Sequence, residues 1–306
     1  MSKSKDPIRT LAEDGLLYLS HAARLGTMRA ASDLFDVAPS TISRQIAMLE
    51  KELGIELVEK NRHVVKLTEA GRRVLAYYRD QQAQRETLLS EIDDLKGLRT
   101  GHVVVAIGQG LIRIPLVAAI QEFNRRFPRM TLTVRNIASR DVVQLVYEDV
   151  VHFGAILDAS PDPRVRTRST SNQPLLFITR PDHPYANRRS LAVARLVGQK
   201  LVLPQEGFRV REILSAIQQR EGIILDIGVT ASSIQTLTDC VLSGVGSTII
   251  PADCVSDHIK AGRLVAIPIQ DPDLSAARLH IIVRIGRRLP SNALAFLEIL
   301  ERKLIS

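Results

Sequence analysis

"ASDLFDVAPSTISRQIAMLEKELG", residues 31–54, is the stretch on which the reading of the whole chain turns. Ile42, Ile46, Leu49 and Leu53 recur at i, i+4, i+7 and i+11, one apolar stripe along a helix. Ser40, Thr41, Ser43, Arg44 and Gln45 crowd the other side of its first two turns. A helix that only faces water is more naturally dressed in Glu and Lys, and these come only at the far end, in "EKEL". One buried face for rigidity, with hydrogen-bonding side chains over the leading turns, suits contact with base edges and phosphates of a duplex. Pro39 fits the first helical position, where its missing N–H costs nothing, and Gly54 is a natural stop.

Outward from this helix the pattern extends in both directions. Upstream, "LLYLSHAARL" is an amphipathic helix with Leu16, Leu19 and Ala23 inward, ended by Gly26. Thr27 is a good N-cap for "MRAASDLF", whose small Ala30, Ala31 and Ser32 permit close helix approach. "DVA" is then the turn of a helix-turn-helix. Downstream, "IELVEKNRHVVKLT" holds two β-prone pieces around Asn61–Arg62 and predicts a two-stranded wing. Five basic residues against one acid in residues 60–73 give that region a local positive charge.

Residues 68–97 predict one long helix with a capping-box start at Thr68. Val74, Tyr78, Gln81, Arg85, Leu88, Ile92 and Leu95 alternate spacings of four and three, a coiled-coil seam with a polar middle. A lone exposed helix of this length needs something to pack on, and a second copy of the chain is the economical partner.

From residue 101 the rhythm changes. "HVVVAIG", "MTLTVRNI" and "HFGAIL" read as strands, separated by the helical "IPLVAAIQEFNRRFP" and "ASRDVVQLVYEDV". A second run of the same kind follows, from "QKLVLP" to "STIIP". Such alternation predicts two lobes of parallel α/β sheet, with a small ligand in the crevice at the strands' carboxyl ends.

Composition narrows the class. At 306 residues, 45% hydrophobic and 24% charged, the chain reads as soluble and as long enough for two domains. "MSKSKDPIRT" is followed by no signal-peptide core, and no uninterrupted apolar span is present, so neither export nor a membrane is expected. Cys240 and Cys254 form no disulfide framework and suit a cytoplasmic protein. The net charge of +8 lies wholly beyond residue 96, because residues 1–96 carry 15 basic and 15 acidic side chains. The seven histidines show no metal-ligand spacing, "GVGSTIIP" is no nucleophile elbow, and "AIGQGLIR" lacks the third dinucleotide-binding glycine. No enzyme, metal or cofactor is expected.

These residues, taken together, resemble the LysR-type transcriptional regulators. The resemblance rests on Gly26-Thr27, Ala30-Ala31, Val37, Ile42-Ser43, Arg44-Gln45-Ile46, Leu49-Glu50, Leu53-Gly54, Val65, Leu67-Thr68 and Ala70-Gly71. "FPRMTL", "DHPYA", "LSGVGSTIIP" and "AGRLVAIPI" add weaker marks. It implies a winged helix-turn-helix DNA-binding domain over 1–72 and a linker and dimerisation helix over 73–97. An effector domain of two α/β lobes, similar to periplasmic binding proteins, would fill 98–306. The implied function is sequence-specific DNA binding by a homodimer or homotetramer, modulated by a small molecule.

By that resemblance Thr27, Ser40, Thr41, Ser43, Arg44, Gln45, Lys60 and Arg62 are expected at operator DNA. Arg44 is the residue best suited to a guanine edge. Effector contacts are expected by position at Gln109, Gly110, Ser139, Phe208, Arg209, Ser232 and Ser233. Helix N-termini and the basic excess of this segment favour a small anion or carboxylate. A redox-responsive regulator of the same family stays open, as does a transport-type binding protein. Departures from the family pattern are Leu57-Val58 with Lys60 in the wing, Ala38 in place of a capping Ser, and His152-Phe153 where an acidic pair is usual.

Overall fold

Ile42, Ile46 and Leu49 are buried to 2% exposure or less, so the stripe on helix α3 (Pro39–Leu53) faces inward over its first three positions, while Leu53 in the last turn is 36% exposed. It packs on Leu16, Leu19 and Ala22 of α1 (Glu13–Leu25) and on Ala31 of α2 (Met28–Phe35). The computed structural model describes residues 13–59, 64–96, 100–108, 113–158 and 162–305. Gly15 marks the crossing of α1 over α3: a Cβ there would stand 3.2 Å from the Gln45 carbonyl oxygen and from Leu49 Cβ. Asp36 ends α2 in left-handed backbone, φ 52°, and returns its N–H to the Ser32 carbonyl. Gly54 ends α3 in the same way at φ 69°.

The two arms of the expected wing pair with each other. Among the described residues the pairing is a single antiparallel bridge, Val58 with Leu67, continued by the Glu59 N–H on the Lys66 carbonyl. The long helix α4 (Glu69–Leu95) starts from Thr68, whose hydroxyl accepts the Gly71 N–H at 3.0 Å. No capping box forms, because the third helical residue is a glycine and has no side chain to reach back. Gly71 is required for another reason: a Cβ there would collide with the Leu57 backbone carbonyl. The chain divides into two compact units inside α4, between Arg85 and Glu86.

The second unit is built on two sheets. The first contains β1 (Gly101–Gly108), β2 (Met130–Ile137), β3 (Phe153–Leu157), β4 (Val165–Asn172) and β11 (Arg278–Arg284), in the order β2-β1-β3-β11-β4. Helices α5 (Arg113–Arg126), α6 (Ser139–Tyr147) and α11 (Ser291–Ile305) belong to this lobe. Phe123, Phe153 and Phe296 meet in its core, with Phe123 and Phe296 edge to face at 5.1 Å.

The second lobe carries β5 (Leu175–Thr179), β6 (Leu191–Ala192), β9 (Thr248–Pro251) and β10 (Val265–Gln270) in the order β6-β10-β5-β9. The parallel pair β7 (Lys200–Pro204) and β8 (Asp226–Ala231) joins it through a bridge from Leu201 to Ser247. Its helices are α7 (Arg209–Glu221), α8 (Ile234–Leu242), α9 (Ser256–Lys260) and α10 (Pro272–Ser275).

The two-lobed expectation holds, but the wholly parallel sheets do not. β11 runs antiparallel to both β3 and β4, and β5 runs antiparallel to β9 and β10. The reason is topological: the chain leaves the first lobe after β4 and returns after β10, so β11 enters the first sheet from the opposite end. The two crossings touch, with the Gln173 N–H on the Ala277 carbonyl at 2.9 Å.

Candidate functional site

Helix α3 presents a face that the rest of its unit leaves uncovered. Ser40, Ser43 and Arg44 are exposed, while Thr41 and Gln45 are half-buried at its edges. Arg44 has neither an ion pair nor a hydrogen bond among the described residues, so its guanidinium fork is available to an outside acceptor. Ser43 does not pack beneath the helix: its hydroxyl donates to the Pro39 carbonyl at 3.2 Å and keeps its lone pairs outward. Ala38, the N-cap, supplies no side-chain oxygen, which leaves the leading amides of α3 without a side-chain cap. Thr27 caps α2, accepting the Ala30 N–H at 3.0 Å. Lys60 and Arg62 lie outside the described residues.

Glu50 is a supporting residue that the sequence reading passed over. Its Oε1 accepts the N–H groups of Leu57 at 2.7 Å and Val58 at 3.1 Å, tying the end of α3 to the first arm of the wing. The signal was available: an acid beside the buried Leu49, on the inner edge of an amphipathic helix, needs a donor. The Val65 N–H on the Gly26 carbonyl, 2.7 Å, secures the other arm.

In the second unit, the crevice between the lobes lies at the carboxyl ends of β2, β3, β7 and β9. Three helices begin there, α6 at Ser139, α7 at Arg209 and α8 at Ile234. Ser139, Phe208 and Arg209 line one inner cavity of about 30 Å³, room for a water, together with Leu157, Ile234 and Pro251. Ser139 and Arg209 also line an outer chamber of about 260 Å³, with Arg140, Asp158, Arg164 and Glu212. Three of the seven expected effector residues are thus brought together. Gln109 and Gly110 lie outside the described residues. Ser232 and Ser233 are exposed and line neither space, and Ser233 caps α8 by accepting the Thr236 N–H.

Arg209 bridges the two lobes, giving Nη2 to Asp158 at 2.9 Å and Nη1 to Glu212 at 3.1 Å. Burial opposes its charge, but these two carboxylates outweigh burial and raise its pKa further. The α6 and α7 N-caps, Ala138 and Phe208, carry no capping oxygen either. An anion in the crevice would therefore meet uncapped amide ends and a fixed cation.

A third cluster explains His152. Its Nδ1 accepts the Val104 N–H at 2.9 Å, one residue before the backbone pairing of β1 with β3 begins. That leaves Nε2 as the donor to Glu86 Oε1, 2.8 Å away on α4. The other oxygen of Glu86 takes Arg287 Nη2 at 2.8 Å, and Arg287, only 2% exposed, also holds Asp149 and the Val151 carbonyl. Burial pushes the Glu86 carboxyl up, but His152 and Arg287 prevail and hold it below its usual value. Thr87 and Ser90 add hydrogen bonds to the Arg288 carbonyl and Ser291. The last turns of α4 thus belong to the packing of the C-terminal unit.

Among the described residues no helix is long and apolar enough to cross a membrane. The model of the bacterial regulatory helix-turn-helix proteins of the lysR family matches residues 14–72, and that of the LysR substrate binding domain matches residues 96–304. The RuBisCO operon transcriptional regulator of Allochromatium vinosum is 27% identical over 272 residues, 88% of each chain. A hydrogen peroxide-inducible genes activator of Escherichia coli O6:H1 is 26% identical over 289 residues, 90% of each chain. A full-length OxyR variant from Pseudomonas aeruginosa shares the fold, with a TM-score of 0.69 over 97% of this chain and 95% of that one at 20% identity. A DNA-reading unit and a ligand-binding unit, each matched by its own model, make this chain a member of the LysR family of DNA-binding transcriptional regulators.

Proposed function

We propose that this regulator reads its operator with α3 and the wing, and that a small anion, a carboxylate above all, switches it from the crevice of the C-terminal unit. The observation that carries the ligand class is the convergence of three helix N-termini and Arg209 on one crevice. Partial positive charge at each N-terminus favours an anion there over a cation or a purely apolar molecule. On the DNA side, Arg44 reads a base edge. Thr27, Ser40, Thr41, Ser43 and Gln45 position the helix, and Lys60 and Arg62 touch phosphate from the wing. Leu88 and Leu95 on α4, 55% and 88% exposed, are the face on which a second copy packs in a cytoplasmic homo-oligomer.

Thermal-shift screening of a metabolite panel against the full chain tests the ligand class. A ligand at 100 times its Kd stabilises by about 2.7 kcal/mol. Acids are expected among the hits, and a set made up of amines and neutral molecules overturns the reading. The likeness to a peroxide-inducible activator favours redox switching as the second reading. Against it, Cys254 is packed among Ile178, Val241, Ile250 and Leu264. A Cys240→Ser, Cys254→Ser variant is expected to respond to effector as the parent does; loss of that response favours the redox reading.

A further inference from the structure

Three arginine–aspartate pairs of the C-terminal unit differ in one respect. Arg164 grips Asp162 with its whole side edge, Nε to Oδ1 at 3.0 Å and Nη2 to Oδ2 at 2.7 Å. Arg180 holds Asp182 in the same way, at 3.0 and 2.8 Å. Arg209 gives Asp158 only Nη2, at 2.9 Å, and its Nε is buried without a hydrogen-bond partner among the described residues. Among these three pairs, the edge that suits a carboxylate best is half filled in the pair that joins the two lobes.

Asp158 ends β3 in the first lobe, in left-handed backbone at φ 49°, and Arg209 opens α7 in the second. Both line the chamber of about 260 Å³, so a ligand there lies against this pair, and the Nε edge opens to it once Asp158 swings away. Glu212 takes Nη1, on the opposite side of the guanidinium, and does not compete for it.

We propose that Asp158 is a specificity-determining stand-in for the ligand's carboxylate: it holds Arg209 by one donor in the empty crevice, and a small acid displaces it by taking Nε and Nη2 together. This rests on the crevice being the effector site. A ligand must then outcompete an internal carboxylate, so amides and alcohols of the same shape fail, and binding breaks an ion pair that joins the lobes. The same exchange couples occupancy to the relation of the two lobes.

Calorimetric titration of the full chain with malonate, and with neutral malonamide as its isostere, tests this. Asp158→Asn suits the left-handed backbone, where Asn is well tolerated, and removes the competing charge. It is expected to bind malonate at least tenfold more tightly than the parent. Arg209→Gln, and the double variant Asp158→Asn, Arg209→Gln, are expected to lose binding, and malonamide is expected to bind none of the proteins. Asp182→Asn removes an exposed acid of the same unit outside the chamber, and should shift affinity less than threefold. An equal gain in Asp182→Asn would mean that bulk charge alone is at work, which overturns the proposal. Unchanged affinity in Asp158→Asn, with binding lost in Arg209→Gln, also overturns it while leaving the effector reading intact. Malonate binding that ignores Arg209→Gln, or no binding to any of the proteins, sinks both.

Discussion

Arg44 has no partner among the described residues, and a cation left free on the outward face of a rigid helix suits an acceptor outside the chain. Arg44→Ala is expected to cost about 1–3 kcal/mol on a specific site and to relax preference at one base pair. Competition binding on specific and random duplexes checks it, and an equal loss on both would show a phosphate contact instead. Gly71 makes a different kind of demand. Its missing Cβ lets α4 start directly against the Leu57 carbonyl, beside the Thr68 cap. Gly71→Ala forces backbone apart at a buried junction, so a loss of about 1–3 kcal/mol is expected in calorimetric unfolding. Both residues stood in the sequence pattern, but only Arg44 could be given a physical role from sequence. The demand on Gly71 is set by Leu57, 14 positions away, and no local period reports such a contact.

At the scale of elements, what could be read in the sequence was whatever is local. The three helices of the DNA-reading unit, with Thr27, Pro39 and Gly54 at their ends, follow from periodicity and capping over a few residues. The entry of β11 into the first sheet depends on which strand the returning chain meets, and strand alternation cannot show that. Ser139 and Arg209 were legible in the crevice because helices there begin directly after strands. Ser232 and Ser233 line neither cavity, and a serine such as Ser233 that caps its own helix looks the same in sequence as one that faces a ligand. Helix α4 was legible as a helix, whereas the role of its last turns depends on His152 and Arg287, 66 and 201 positions away. Glu86→Ala strips the carboxylate from a guanidinium only 2% exposed. Since Glu86 is itself partly exposed, the expected cost is about 1–3 kcal/mol, below that of a fully buried pair. Arg85→Ala, one residue upstream on an exposed position, should change unfolding by less than about 0.5 kcal/mol. Calorimetry on the two full-length variants makes the comparison, and equal losses would place the junction elsewhere.

The molecule as a whole joins a unit that reads DNA to a unit that binds a ligand, and one continuous helix runs through both. Its net charge of +8 is not the source of DNA recognition, since residues 1–96 balance to zero. Recognition by placed side chains, as proposed for Arg44, fits that balance, and the charge excess lies in the C-terminal unit. An acid bound in the crevice, on the proposed function, changes how α3 engages its site. Footprinting of the full chain on the DNA flanking its own gene, at moderate salt and with and without the acid found by thermal shift, tests it most directly. Protection of a discrete site is expected, with an extent or affinity that changes when the acid is added and does not change in Arg209→Gln. A footprint indifferent to every acid that stabilises the chain, or no protected site at all, would contradict the account.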